Sequence, residues 1–380
     1  MNFSKTILHE TIKKSNSADL PKKVEKIEEK VEEKIKEKIK EVEFLKRFVK
    51  IESVTGNERA ATEFLVRESK LLGFSSKIDA AGNFVGVKGS GKRSIVLLGH
   101  IDTVPGKISV VIKNRKLYGR GSVDAKGPFT AFLFAAAQAI PKDATLTVIG
   151  AVEEEGNSKG AHFVKNNIKP DFIIIGEPSG SACVTLGYRG ALRFCYTLKK
   201  IVSHGAGKEN NAYDDALEYY YRLKEYCLKY NADKSGAFSQ ISVYLVHIKT
   251  SDNGLFQEIS LDIRFRIPVS LSSKEVLASA ESLKGLGKLS EISFEEPIKV
   301  GKNTALVKVF LQAIRSRNLE PRFTLKTGTS DMNILGNSFH VPIVTYGPGD
   351  SSLDHTPDEH IALDEFIQGI EILTDVLNRL

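Results

Sequence analysis

Four apolar runs constrain the fold of this chain more than any other feature: SIVLLGHID, ATLTVIGAV, DFIIIGEP and VPIVTYGPGD. Each is apolar at successive positions rather than alternate ones, so each needs cover on both faces, as strands of a mostly parallel sheet flanked by helices do. Between them stand GPFTAFLFAAAQAI, a buried-helix pattern behind a proline, and the helix start SKGAHFVKNN. From about Val184 to Pro297 the texture changes. YRGALRFCYTLKK, QISVYLVHIKT and QEISLDIRFRIP alternate apolar with polar residues, the mark of an antiparallel sheet with one wet face, and two helical stretches separate them. The first texture then returns to the C-terminus. The fold class expected is therefore α/β: a mostly parallel sheet with helices on both faces, interrupted by a smaller α+β unit. The boundaries expected are an arm at 1–43, a first part of the large domain at 44–184, the inserted unit at 185–296 and the second part of the large domain at 297–380.

The arm is of a different kind. Val24, Ile27, Val31, Ile35, Ile39, Val42 and Leu45 recur at steps of three and four, with lysine and glutamate filling most of the intervening positions. This predicts a helix with one narrow apolar stripe, a solvated lead-in to the first core helix ahead of a coiled-coil contact. Of the 380 residues, 54 are Lys or Arg and 47 Asp or Glu, and the signs are interspersed, which argues against a nucleic-acid reader and for a mildly basic surface that attracts an acidic macromolecule. Cys183, Cys195 and Cys227 stand far apart without a CxxC pair, so neither a disulfide framework nor a thiolate metal site is expected, and a reducing cytoplasm is. No run is long and apolar enough for a membrane span or an export signal.

The polar residues of the large domain gather where the apolar runs end. His100 and Asp102 lie two apart after the first, on one face of an extended chain. Asp124 follows a glycine-rich turn and precedes the buried helix. Glu153, Glu154 and Glu155 follow the second run, Glu177 ends the third, and His355 lies in LDHTPDEH. In an open α/β sheet such ends converge on one crevice. Imidazoles and carboxylates without thiolates suit Zn²⁺, Co²⁺ or Mn²⁺, and two dications would neutralise three adjacent glutamates while leaving one free for proton transfer.

GHIDTVPG, GRGSVDAKGP, EEEGNSKGA, IIGEP and DHTPDEHI, in that order, resemble the di-metal amidohydrolases of the M20 peptidase group. The resemblance implies a catalytic domain interrupted by a lid domain that dimerises, and two divalent ions per subunit, Zn²⁺ or Co²⁺. It makes Asp124 the carboxylate that bridges them, with His100 and Glu177 on one ion and Glu155 and His355 on the other. Asp102 would hydrogen-bond a ligand histidine, Glu154 would be the general base, the peptide after Asp124 would be cis, and His204 would reach the neighbouring subunit's site to stabilise an oxyanion. Within the group, VTLGYRG, KTGTSDMNIL and TYGPGDSSLDHT look most like the hydrolases that release lysine or ornithine from the C-terminal glutamate of a small acidic amino-group carrier protein of the LysW type. Arg264, Thr329 and Ser330 would then grip carboxylate and amide groups of the substrate. Two other functions stay open: a free small-molecule deacylase or dipeptidase of the acetylornithine deacetylase kind, and an inactive carrier-binding protein.

Overall fold

The computed structural model describes residues 36, 38–202 and 211–380. Most of the arm, and His204 with its loop, lie outside the described residues.

The large sheet has nine strands: β1 (Ser75–Ile78), β2 (Phe84–Lys88), β3 (Arg93–His100), β6 (Ala144–Ala151), β7 (Phe172–Gly176), β8 (Cys183–Tyr188), β13 (Ile298–Lys299), β14 (Arg322–Lys326) and β15 (Ile343–Thr345). Its path runs β1-β2-β6-β3-β7-β15-β8-β13, with β14 also on β8. The central neighbours β6, β3, β7 and β15 are parallel, and antiparallel pairs occur toward the margins. Burial on both faces is visible within β3. Ile95 and Leu97 pack with Phe129 and Phe366 on one side, while Val96 and Leu98 pack with Met332 and Leu335 on the other. The first side is covered by α1 (38–49), α2 (Arg59–Lys70), α3 (Lys126–Gln138), α7 (Ala305–Arg315) and α9 (Leu363–Arg379); the second by α4 (Lys159–Val164) and α8 (Asp331–Ser338). Helix α3 is buried from Lys126 to Ala136, as a helix apolar all round must be.

A second sheet, β10-β11-β9-β12, is antiparallel throughout and comprises β9 (Gly190–Ile201), β10 (Ser242–Asp252), β11 (Phe256–Ile267) and β12 (Lys288–Glu295). It has its own core. Leu192, Phe194, Leu261, Ile263 and Phe265 face α5 (Ala212–Asn231) and α6 (Ser273–Leu283), and the alternate residues of β9 and β11 face away. A short sheet of β4 (Val111–Lys113), β5 (Lys116–Tyr118) and β16 (His360–Ala362) has no counterpart in the sequence reading. Its strands are three residues long and carry no periodic signal.

Register fixes where the functional residues emerge. Strand β3 pairs His100 with Ala151 of β6 and Gly99 with Gly176 of β7, so the segments after all three strands leave the sheet at one rim. The glycine-rich turn before Asp124 approaches its neighbours closely: a Cβ on Gly119 would come within 2.5 Å of Val49 Cγ1, and one on Gly121 within 2.9 Å of Thr103 Cγ2. Both glycines have positive φ, 152° and 85°.

Candidate metal and catalytic site

Each ligand candidate follows the end of a strand or precedes a helix on this rim. His100 ends β3 at 1% exposure. Its Nε2 lies 3.0 Å from Asp124 Oδ1 and 3.9 Å from Glu177 Oε1. The other oxygen of Asp124 lies 2.9 Å from His355 Nε2, which is 2.7 Å from Glu155 Oε1. Asp124 therefore sits between two nitrogen–carboxylate groups, His100 with Glu177 and His355 with Glu155, whose donor atoms lie within 4.8 Å of one another in each trio. His100, Glu154 and Glu155 form a further such trio, which places Glu154 beside both groups. The peptide bond between Asp124 and Ala125 is cis.

Asp102 differs in detail from its expected role. The ring of His100 reaches the main-chain carbonyl of Asp102 through Nδ1 at 3.0 Å, while the Asp102 carboxylate stands at 3.5 Å, too far for a good hydrogen bond. With Nδ1–H donated to that carbonyl, the neutral ring would have its Nε2 lone pair for a cation, and the protonated ring donates Nε2–H to Asp124. The carboxylate instead accepts the amides of Glu154 at 3.0 Å and Glu155 at 3.1 Å, and the Thr55 hydroxyl at 2.9 Å. The sequence reading had no way to see this, because a two-residue spacing places side chains on one face but says nothing of main-chain partners 50 residues away.

Burial pushes the carboxyl of Glu154 well above the usual range, and the nearby carboxylates Glu177, Asp331 and Glu155 add to it against the opposing pull of His100. Glu177 is raised well above the usual range in the same way, by burial and by Asp124, Asp331 and Asp354. The histidines respond in kind. Burial alone would depress His100, but the surrounding carboxylates Asp102, Asp124 and Glu177 hold it well above its ordinary value, and hydrogen bonds to Asp124 and Glu155 push His355 up to about 10. Asp124 is held low against its burial by its two histidines. A cluster in which Glu154 and Glu177 are pushed toward protonation and both imidazoles are pushed toward charge is a cluster short of positive charge. The residues fit divalent cations: two imidazole nitrogens and three carboxylates, no thiolate, one carboxylate central to both groups.

The candidates Thr329, Ser330 and Arg264 line one cavity of about 460 Å³ together with Glu154, His162, Arg193 and Arg266. The Ser330 hydroxyl is already engaged, since it accepts from Met332 N at 3.2 Å as the cap of α8. The Thr329 hydroxyl accepts from Arg266 Nη1 at 3.0 Å and so joins the small sheet to the large domain. Glu58, Lys126, Asp331 and Glu359, all buried, were not singled out from the sequence. Glu58 and Glu359 point at backbone amides of the ligand-bearing segments, Asp331 is 1% exposed beside the site, and Lys126 reaches the carbonyls of Phe48, at 3.4 Å, and Ile51.

This fold and this donor set define a metal-dependent hydrolase built on an α/β sheet. The chain belongs to Peptidase family M20/M25/M40, which it matches over residues 96–379. It is 40% identical over 349 residues to the LysW-lysine hydrolase of Deinococcus radiodurans, covering 89% of this chain and 96% of that one. It is 33% identical over 341 residues to the LysW-lysine/LysW-ornithine hydrolase of Sulfurisphaera tokodaii, covering 89% and 95%. Among solved structures, a tripeptidase from Staphylococcus aureus superposes with a TM-score of 0.73 at 19% identity, covering 90% of this chain and 98% of that one. An M20 family metallo-carboxypeptidase from Sulfolobus solfataricus gives 0.71 at 17%, covering 89% and 98%. The chain is thus an amide hydrolase of a family to whose chemistry divalent metal ions belong. Among the described residues, no helix is long and apolar enough to cross a membrane.

Proposed function

We propose that this enzyme hydrolyses the amide joining the α-amino group of lysine or ornithine to the γ-carboxyl of the C-terminal glutamate of an acidic carrier protein. The observation that carries the substrate reading is the 40% identity to a LysW-lysine hydrolase across 89% of the chain. In this reading the reaction ends carrier-bound lysine or arginine biosynthesis, in the cytoplasm. The inserted unit, 185–296, acts as a lid and as the contact of a homodimer, with His204 serving the neighbouring subunit.

His100 and Glu177 would hold one ion, Glu155 and His355 the other, and Asp124 both, with Zn²⁺ or Co²⁺ suited to the donors. Bound there, the cations supply positive charge that lowers the pKa of water and polarises the amide carbonyl. Glu154 takes a proton from the attacking water and returns it to the leaving amine, a task suited to a carboxyl whose burial raises its affinity for protons. Asp102 keeps the His100–Glu154–Glu155 arrangement in place through the amides it accepts. Arg264 takes the free carboxylate of the carrier's terminal glutamate, and Thr329 and Ser330 line the path of the amide.

Intact-mass measurement of a LysW-type carrier charged with lysine or ornithine, incubated with the enzyme and Zn²⁺ or Co²⁺ beside a parallel reaction with N-acetylornithine, tests the proposal. Loss of one amino-acid mass, abolished by a chelator, is the expected result. An untouched carrier with rapid cleavage of N-acetylornithine would replace it with a free-metabolite deacylase, and no reaction in either would favour a carrier-binding protein without catalysis.

A further inference from the structure

Glu58 belongs to none of the groups that converge on the ligand carboxylates, yet it is 6% exposed, and its carboxylate is turned toward main-chain amides. Its Oε1 accepts from Gly56 N at 2.7 Å and from Glu153 N at 3.3 Å. Glu153 has φ 60°, in the left-handed region that a residue with a side chain occupies only where its surroundings enforce it. The enforcement acts at both ends of the residue, because the Glu153 carbonyl accepts from Gly156 N at 3.2 Å and Ser158 N at 2.6 Å. Since Asp102 takes the next two amides, three consecutive N–H groups from Glu153 to Glu155 are held by two buried carboxylates of other segments. The two carboxylates are themselves linked. The Thr55 hydroxyl donates to Asp102 at 2.9 Å, and Thr55 N and Thr103 N bond Thr103 O and Ser53 O, so the segment that carries Glu58 moves with the one that carries Asp102.

Residue 153 is the joint between strand β6 and the base. Were it to relax to the right-handed region, the chain would leave the sheet in another direction and Glu154 would no longer lie beside His100. Glycine would adopt the turn without help. A glutamate needs a partner for its amide, and burial of that partner keeps water from competing for the bond.

We propose that Glu58 is a positioning residue: by accepting the Glu153 amide it holds the left-handed turn and so aims Glu154 at the reacting atoms. The proposal rests on the reading of Glu154 as the base, and its test separates the two. The variants are Glu58→Ala, Glu58→Gln, the double variant Glu58→Ala with Glu153→Gly, and Glu154→Gln. They are measured by steady-state turnover of whichever amide substrate the wild type cleaves, by calorimetric titration with Zn²⁺, and by hydrogen exchange of peptides covering 150–158. Glu58→Ala should lower kcat about 10- to 100-fold with KM within about twofold. Its Zn²⁺ stoichiometry should be unchanged and exchange at 150–158 faster. Glu58→Gln, which keeps an acceptor oxygen, should stay within about threefold of wild type, and Glu153→Gly should restore much of the loss in the alanine background. Wild-type kcat and exchange in Glu58→Ala would overturn the proposal, as would an equal loss in Glu58→Gln without rescue by glycine, which would make charge rather than the turn responsible. If Glu154→Gln stays active while Glu58→Ala loses exchange protection, the held turn stands and the reading of Glu154 as the base falls.

Discussion

The rim of the large sheet and the outward face of the small one both concentrate like charges, and they tolerate them in different ways. On the rim, Asp102 and His100 are 0% and 1% exposed, and Glu154 and Glu177 beside them are pushed toward protonation by burial and by neighbouring carboxylates. On the small sheet, Arg264 of β11 stands directly across from Arg193 of β9, with Arg266 two residues along on the same face. A like-charge pair in direct cross-strand register is unfavourable. Here water and one carboxylate suffice, since Asp262 takes Arg193 Nε at 2.9 Å and Arg193 is half exposed. Buried charge of one sign requires a counter-charge inside the site, whereas exposed charge of one sign stays available to a ligand. The cavity between them is lined by Glu154 from the rim and by Arg193, Arg264 and Arg266 from the small sheet.

The sharpest break in this comparison is at Glu154. Replacement by Gln leaves every ligand candidate in place and removes only the proton acceptor, so kcat should fall by about 10³-fold or more while divalent metal still binds. Intact-mass kinetics beside calorimetry reads both quantities, and surviving turnover would reassign the base. Arg264→Ala breaks the cationic side instead. For a substrate with a carboxylate on the acyl side, KM should rise about tenfold with kcat nearly unchanged, because a grip made equally in ground and transition states is uniform binding. A fall in kcat at constant KM would move Arg264 to the transition state.

Metal removal and pH sharpen the buried side. Asp331 is pushed up to about 7, first by burial and then by the charge of Asp102 and Glu295. A carboxyl raised on folding contributes stability that is complete below its unfolded value and is lost as pH rises through the folded one. The metal-free protein should therefore lose stability between about pH 4 and pH 7 through Asp331, and Asp354, pushed up to about 8 by burial and Asp124, continues the loss. His355, raised to about 10, has the same sign. Between pH 5.5 and 7 the Asp331 share is about 1.6 kcal/mol, or about 2 °C in Tm for a chain of this length. Calorimetric scans in chelator should show that fall shrinking in Asp331→Asn, and excess Zn²⁺ should raise Tm in proportion to its affinity for the folded site. A Tm independent of pH in the metal-free wild type would mean that Asp331 titrates normally.

What the sequence disclosed follows from the range over which each signal acts. Apolar runs report burial on both faces locally, so β3, β6, β7 and β15 and the antiparallel alternation of β9 and β11 were legible, and His100, Asp124, Glu155, Glu177 and His355 could be grouped because strand ends of one sheet share a rim. Glu58 and Glu359 were not legible. Glu359 accepts from Val123 N at 3.0 Å and Asp124 N at 3.2 Å across more than 200 residues, and Glu58 reaches Glu153 across 95. A carboxylate that holds a main-chain amide leaves no pattern around itself. The same limit hid the two amides that the Asp102 carboxylate accepts.

The smallest effect tests the exposed face alone. Asp262 neutralises Arg193, so Asp262→Ala leaves Arg193 and Arg264 opposed across β9 and β11 with nothing between them. The small sheet should lose about 0.5–1 kcal/mol, the scale of a cross-strand pair, seen as a fall of a few degrees in Tm. The rim of the cavity gains one net positive charge at the same time. If the substrate is as acidic as proposed, kcat/KM at low ionic strength should rise about two- to threefold through faster association, and the gain should vanish near 0.5 M salt, where the screening length is only a few ångströms. Weaker stability with no salt-dependent gain would confine the Asp262–Arg193 contact to the architecture of the sheet and leave Arg264 and Arg266 as the cations that meet substrate.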